Sequence, residues 1–95
     1  MDEPRVIITY CSQCRWLLRA AWMAQELLMT FEQDLKEVAL RPGTGGVFEI
    51  RYGDAILWSR ADQGRFPEAR EIKQRLRDRI DPQRSLGHSD RGTGH

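Results

Sequence analysis

In the stretch Arg5-Val6-Ile7-Ile8-Thr9-Tyr10-Cys11-Ser12-Gln13-Cys14-Arg15-Trp16-Leu17-Leu18-Arg19, a β-type run ends in a C-x-x-C pair and passes straight into a helical pattern. Arg5 to Tyr10 is β-branched and aromatic, which predicts a strand. Its nearly continuous apolar character suits a central place in a sheet. Cys11-Ser12-Gln13 reads as the turn, with Ser12 a candidate helix cap. The spacing then predicts a helix from about Cys14 to Glu32. Leu17, Leu18, Ala21, Ala24, Leu28 and Phe31 make one apolar stripe, widened by Trp16, Ala20, Met23 and Leu27. Arg15, Arg19, Glu26 and Gln33 fall on the opposite face. No Gly or Pro interrupts the span, and its Ala, Leu, Met, Glu and Gln are strong helix formers.

Outward from this unit, Glu37 to Arg41 reads as a second strand and Arg41-Pro42-Gly43-Thr44-Gly45-Gly46 as a loop. Val47 to Tyr52 is a third strand. Gly53-Asp54 is a turn pair of the type II′ kind, and Ala55 to Ser59 is a fourth strand, so the last two form an antiparallel hairpin. Ala61 to Phe66 reads as a polar loop. Pro67 suits the first position of a final helix running to about Ile80, with Ala69, Ile72, Leu76 and Ile80 as its buried stripe. Asp81-Pro82 ends it. We expect one domain over residues 1–82 and a mobile tail over 83–95, where Leu86 is the lone large apolar residue. The order β-α-β-β-β-α, with strands one and two parallel across a right-handed crossover, predicts an α/β chain. Its expected architecture is a small thioredoxin-like fold with a four-stranded mixed sheet and both helices on it.

Composition narrows the function. At 95 residues the chain builds one core. Its net charge of +1 argues against a general pull toward nucleic acid or anionic membrane. The run Arg70, Lys73, Arg75, Arg77, Arg79 is interrupted by Glu68, Glu71 and Asp78, and reads as a solvated, salt-laced face with a Glu71–Arg75 pair at favourable spacing. The acidic N-terminus and the short apolar run Val6-Ile7-Ile8 do not read as a secretory signal. We therefore expect a cytoplasmic protein without a membrane partner. In that compartment a C-x-x-C pair is more often catalytic or metal-binding than a static disulfide.

A C-x-x-C at a strand-to-helix turn opening a βαβ pattern points to thiol–disulfide chemistry. The attacking species is a thiolate, so its pKa must be lowered. A place at a helix N-terminus does this through unpaired N–H groups and the helix dipole, and Arg15 would add positive charge. Helix-terminus physics favours Cys11 as attacker, as the more exposed position, with Cys14 resolving. A zinc site would need four ligands; only His88 and His95 remain, both in the tail, so a closed site would need those or a second chain, as in a zinc-bridged dimer. We expect no resident metal or cofactor. Gly43 to Gly46 lacks the Lys-Ser/Thr ending and following helix of a phosphate loop. Glu49 reads as a solvent-facing strand carboxylate. Trp22 projects near Arg19 and Glu26, either packing or marking a partner surface. A binding module that docks a protein through the Cys loop and Trp22 is the alternative to an enzyme.

Four segments resemble the selenoprotein W/T/H group, the Rdx family. They are the strand-led C-x-x-C, Thr44-Gly45-Gly46-Val47-Phe48-Glu49-Ile50, Trp58-Ser59 and Gly64-Arg65-Phe66-Pro67. Arg15-Trp16-Leu17-Leu18-Arg19 resembles a bacterial Cys-containing branch. The resemblance spans roughly Val6 to Ile80. It implies a small thiol–disulfide oxidoreductase or redox-responsive protein using Cys11 and Cys14. Glutathione is the implied reductant or mixed-disulfide partner, and protein thiols and disulfides are the other expected partners. The family's selenocysteine falls at Cys14, which by analogy favours Cys14 as the attacker and, with sulfur in place of selenium, implies a slower site. Ser12, Gln13 and Arg15 are the supporting residues around the pair. In the wider thioredoxin fold a cis-proline loop packs beside the cysteines. The corresponding place here is Thr44, Gly45 and Gly46, whose backbone would pair with substrate.

Overall fold

The computed structural model describes residues 4–87 and Asp90. The elements run β1 (Arg5–Cys11), α1 (Leu17–Thr30), β2 (Glu37–Gly43), β3 (Phe48–Tyr52), β4 (Ala55–Ser59), α2 (Arg60–Gln63) and α3 (Ala69–Ile80). One four-stranded sheet has the order β2-β1-β3-β4. β1 pairs parallel with β2, in register from Arg5–Glu37 to Cys11–Gly43. It pairs antiparallel with β3, and β3 with β4. The mixed sheet, the central β1 and the hairpin are those expected from sequence, in a small thioredoxin-like fold.

Strand alternation creates the core. Val6, Ile8 and Tyr10 are buried while Ile7 and Thr9 between them are only partly so. Successive strand side chains point to opposite faces, and the registered partners Ile50 and Phe48 are buried with Ile8 and Tyr10. Ala20, Met23, Ala24 and Leu27 of α1, Phe31 at its C-cap, and Ile72 and Leu76 of α3 complete this layer. Each large apolar side chain so buried stabilises the fold by roughly 1.5–3 kcal/mol. Lys73 Nζ lies 2.8 Å from Glu26 Oε1 and ties α3 to α1.

The structure corrects several expectations. α1 begins at Leu17, because Arg15 takes a left-handed φ of 65° and turns the chain before the helix can start. Ser12 is therefore not its cap; Trp16 stands at that position without a side-chain cap. The buried face of α1 is the one carrying Ala20, Met23, Ala24 and Leu27 and continuing to Phe31 at the C-cap, whereas Leu17, Leu18 and Leu28 of the expected stripe are exposed. Pro67 precedes α3 instead of opening it. Glu68 is the N-cap, and its backbone N–H donates to Glu71 Oε1 at 2.8 Å. Part of the expected polar loop is the short helix α2, closed by Gly64 at φ 75°, a conformation for which glycine carries no Cβ penalty. Glu71 is held by Arg65, with contacts of 2.9 and 2.6 Å, in place of the anticipated Arg75 pair.

The described part of the C-terminal segment packs on the domain. Arg84 makes a forked pair with Asp34 at 2.7 and 3.1 Å, and Leu86 lies against the core. Asp90 accepts from Leu86 N at 2.7 Å and from Arg77 at 2.9 Å. His88 and His95 lie outside the described residues. No described helix is long and apolar enough to cross a membrane.

Candidate redox site

The site is built at the C-terminal end of the central strand. Cys11 is the last residue of β1 and Cys14 follows in a turn over residues 12–15. Their sulfurs are joined in a disulfide with the Cα atoms 5.3 Å apart, inside the range that side chains can bridge. The neighbouring strand ends hold the loop down. Cys11 N donates to Val47 O at 2.8 Å, and Ser12 N donates to Gly43 O at 3.1 Å. The Ser12 hydroxyl donates to the same Gly43 carbonyl at 3.3 Å. Cys14 N points at Cys11 Sγ, 3.3 Å away, a contact that would favour a Cys11 thiolate once the bond opens.

The two cysteines differ in access, in the reverse of the order expected. Cys11 is 2% exposed, while Cys14 is exposed. Neither lies within the helix. The helix-terminus reason for choosing Cys11 as attacker therefore fails, and Cys14 is the sulfur open to solvent. Gln13 and Arg15 are exposed beside it.

Thr44, Gly45 and Gly46 form the turn between Gly43 and Val47, the two residues that bond the Cys loop, so the fold brings this segment to the site. Gly43 itself must lack a side chain: a Cβ there would stand 2.8 Å from Val47 Cγ1 and 3.2 Å from Thr9 Cγ2. All described peptide bonds are trans, so the loop has no cis-proline among the described residues. Glu49 is occupied by Arg51 Nε at 2.9 Å.

Trp16, whose backbone N–H donates to Cys11 O at 3.3 Å, joins the loop to an aromatic cluster. Trp16 meets Phe66 edge-on at 4.7 Å between centroids, and Phe66 meets Phe48 at 5.3 Å. Phe66 is carried there by the Gly64–Pro67 segment. Trp58 Nε1 donates to Arg65 O at 3.0 Å and fixes that segment to β4. Arg65 and Arg75 stack on the Trp58 ring at 4.8 and 4.7 Å. Arg19 lies 3.9 Å from the Phe66 centroid, and Arg60 lies 4.9 and 5.0 Å from those of Phe66 and Trp16. Phe66, Arg19 and Arg60 cluster here and were not among the expected site residues; the Gly64-Arg65-Phe66-Pro67 motif signalled Phe66, and nothing in the sequence marked the two arginines as site residues. Trp22 is half exposed on the outer face of α1. No group of three or more His, Cys, Asp or Glu able to hold a metal ion occurs among the described residues.

Known proteins share this fold. The crystal structure of a protein from Bordetella parapertussis is similar at 65% sequence identity and a TM-score of 0.79, covering 82% of this chain and 99% of that one. A selenoprotein W-related protein from Vibrio cholerae is similar at 50% identity and a TM-score of 0.81, covering 84% and 100%. No curated protein matches the chain. Residues 5–78, which span the strand-end cysteine pair, match the Rdx family, and the chain belongs to that family.

Proposed function

We propose that the chain is a small thiol–disulfide oxidoreductase or redox-responsive protein that cycles Cys11 and Cys14 between dithiol and disulfide. The observation that carries this reading is the bond between an exposed Cys14 and a buried Cys11 at the end of the central strand. In the reductive direction the Cys14 thiolate attacks one sulfur of a substrate disulfide. That S–S bond breaks, and the departing thiolate takes up a proton. Cys11 then attacks Cys14 Sγ and releases the second substrate thiol. The protein has lost two electrons and the substrate disulfide has gained them. A thiol reductant, for which glutathione is the proposed source, returns the pair to the dithiol. Protein disulfides and glutathione disulfide are the proposed partners, and the cytoplasm is the proposed compartment.

The test is equilibration in graded glutathione or dithiothreitol buffers, with free thiols trapped and counted by mass. A reversible two-electron transition at roughly −200 to −300 mV is the expected result. Failure to form the intramolecular disulfide at any poise would overturn the dithiol cycle. A second reading is favoured by the outer face of α1, where Leu18 is 82% and Trp22 47% exposed: a module that docks a protein there. Partner binding that survives a Cys11→Ser, Cys14→Ser double substitution would mark that role.

A further inference from the structure

Three guanidinium groups near the Cys loop have no role in the exchange described above. Arg5, Arg51, Arg65, Arg70, Lys73, Arg77 and Arg84 each have a carboxylate within ion-pair distance. Arg15, Arg19 and Arg60 have neither a carboxylate nor a side-chain hydrogen bond among the described residues. Asp62, two positions from Arg60, is not paired with it. Yet Arg19 and Arg60 are not loose. Both lie over the Phe66 ring, and Arg60 also lies over Trp16. The Phe66 ring therefore holds two like charges close together.

A guanidinium held over a ring by its charge still carries N–H groups that the ring does not pair; in Arg60 the Nε is buried without a hydrogen-bond partner, which leaves its terminal Nη groups for a ligand. Such a fork of N–H groups matches a carboxylate in bidentate geometry. Trp16 is two residues from Cys14, which places their Cα atoms within about 7 Å. Exchange also has an electrostatic difficulty: the attacking Cys14 thiolate repels an anionic disulfide. Fixed cations beside it offset that repulsion and raise the encounter rate.

We infer that Arg19 and Arg60, with Arg15 on the loop, form a cationic rim that selects disulfide substrates carrying carboxylates. The inference rests on thiol–disulfide exchange at Cys14 as proposed above. In each turnover the dithiol is oxidised to the disulfide and one substrate disulfide is reduced to two thiols, with no further reactant.

The test is single-turnover oxidation of the fully reduced, desalted protein by three small disulfides: dithiodipropionate (anionic), hydroxyethyl disulfide (neutral) and cystamine (cationic). Each rate is divided by that of dithiothreitol with the same probe, which removes intrinsic differences in leaving group. The anionic probe should lead the neutral one by roughly tenfold at low salt, and the ratio should shrink toward one as salt shortens the screening length. Arg19→Gln and Arg60→Gln should each lower the ratio. The salt series on the unsubstituted protein stands even if Arg60→Gln fails to fold. A ratio near one, unmoved by salt, or a preference for cystamine would overturn the rim while leaving exchange intact. No reaction with any of the three would overturn exchange and the rim with it.

Discussion

Replacing Arg15 isolates the backbone conformation that turns the Cys loop into α1. Arg15 holds a φ of 65° and donates its N–H to Ser12 O at 3.1 Å. An L-residue in that left-handed region costs roughly 1–2 kcal/mol. Glycine removes the cost but adds unfolded-state freedom of about 0.5–1 kcal/mol. Arg15→Gly should therefore be more stable than Arg15→Ala by roughly 0–1.5 kcal/mol. Alanine is the right reference, because both variants lack the side chain and only alanine keeps the strain. The Arg15 side chain is exposed and has no paired partner among the described residues, so Arg15→Ala itself should lie within about 0.5 kcal/mol of the parent. Arg15→Val, β-branched at positive φ, should fall below both. The assay is urea unfolding of the oxidised protein followed by far-UV circular dichroism, repeated by heat, where 1 kcal/mol corresponds to about 4–8 °C for a domain this small. An Arg15→Gly midpoint clearly below that of Arg15→Ala would refute the reasoning, since no strain would then have been released.

Two further predictions follow from contacts around the site. Gly43→Ala should cost about 1–3 kcal/mol as Val47 and Thr9 give way. It should also speed amide exchange at Ser12, whose N–H donates to the Gly43 carbonyl; parental stability and parental exchange would count against the close approach. The forked Arg65 contact, aided by the Glu68 N–H, holds Glu71 down to about 2 from an ordinary 4.5. A depressed folded-state pKa stabilises fully above the ordinary value, and that contribution is lost as pH falls through 4.5 toward about 2. Glu71→Gln should thus cost about 1 kcal/mol near neutrality, the figure being kept small because Arg65 is half exposed. The gap between variant and parent, read by urea unfolding along a pH series, should close toward pH 2; a gap independent of pH would refute the assignment.

The strands were legible in the sequence because burial in β1 follows simple alternation and because Gly53-Asp54 marks the hairpin. The register of α1 was not. Leu17, Leu18 and Leu28 compete with Ala20, Met23 and Leu27, and periodicity cannot choose between two apolar faces when the helix leaves one of them open to solvent. The start of α1 was hidden for a different reason: the left-handed residue is Arg15, where a glycine would have announced the turn. α2 is a single turn, too short for any periodic signal, with Gly64 as its sole mark. Of the site, the cysteine pair and the Thr44–Gly46 loop could be read from spacing and resemblance. Which sulfur is covered depends on where β1 ends and on the carbonyls of Gly43 and Val47, both remote in sequence.

The last rung of β1 has a consequence for how foldedness and oxidation state relate. Cys11 is locked into the sheet by its pairing with Gly43 and its bond to Val47, whereas Cys14 sits in a two-sided turn with nothing of the core resting on it. Opening the bond frees one end of a very short ring and leaves the other anchored. In the exchange proposed above, opening and closing this bond would therefore change the freedom of a few surface residues while the sheet that holds Cys11 stays in place. Under that proposal the reorganisation falls on the exposed turn that carries Cys14, and the buried interior takes no part in it.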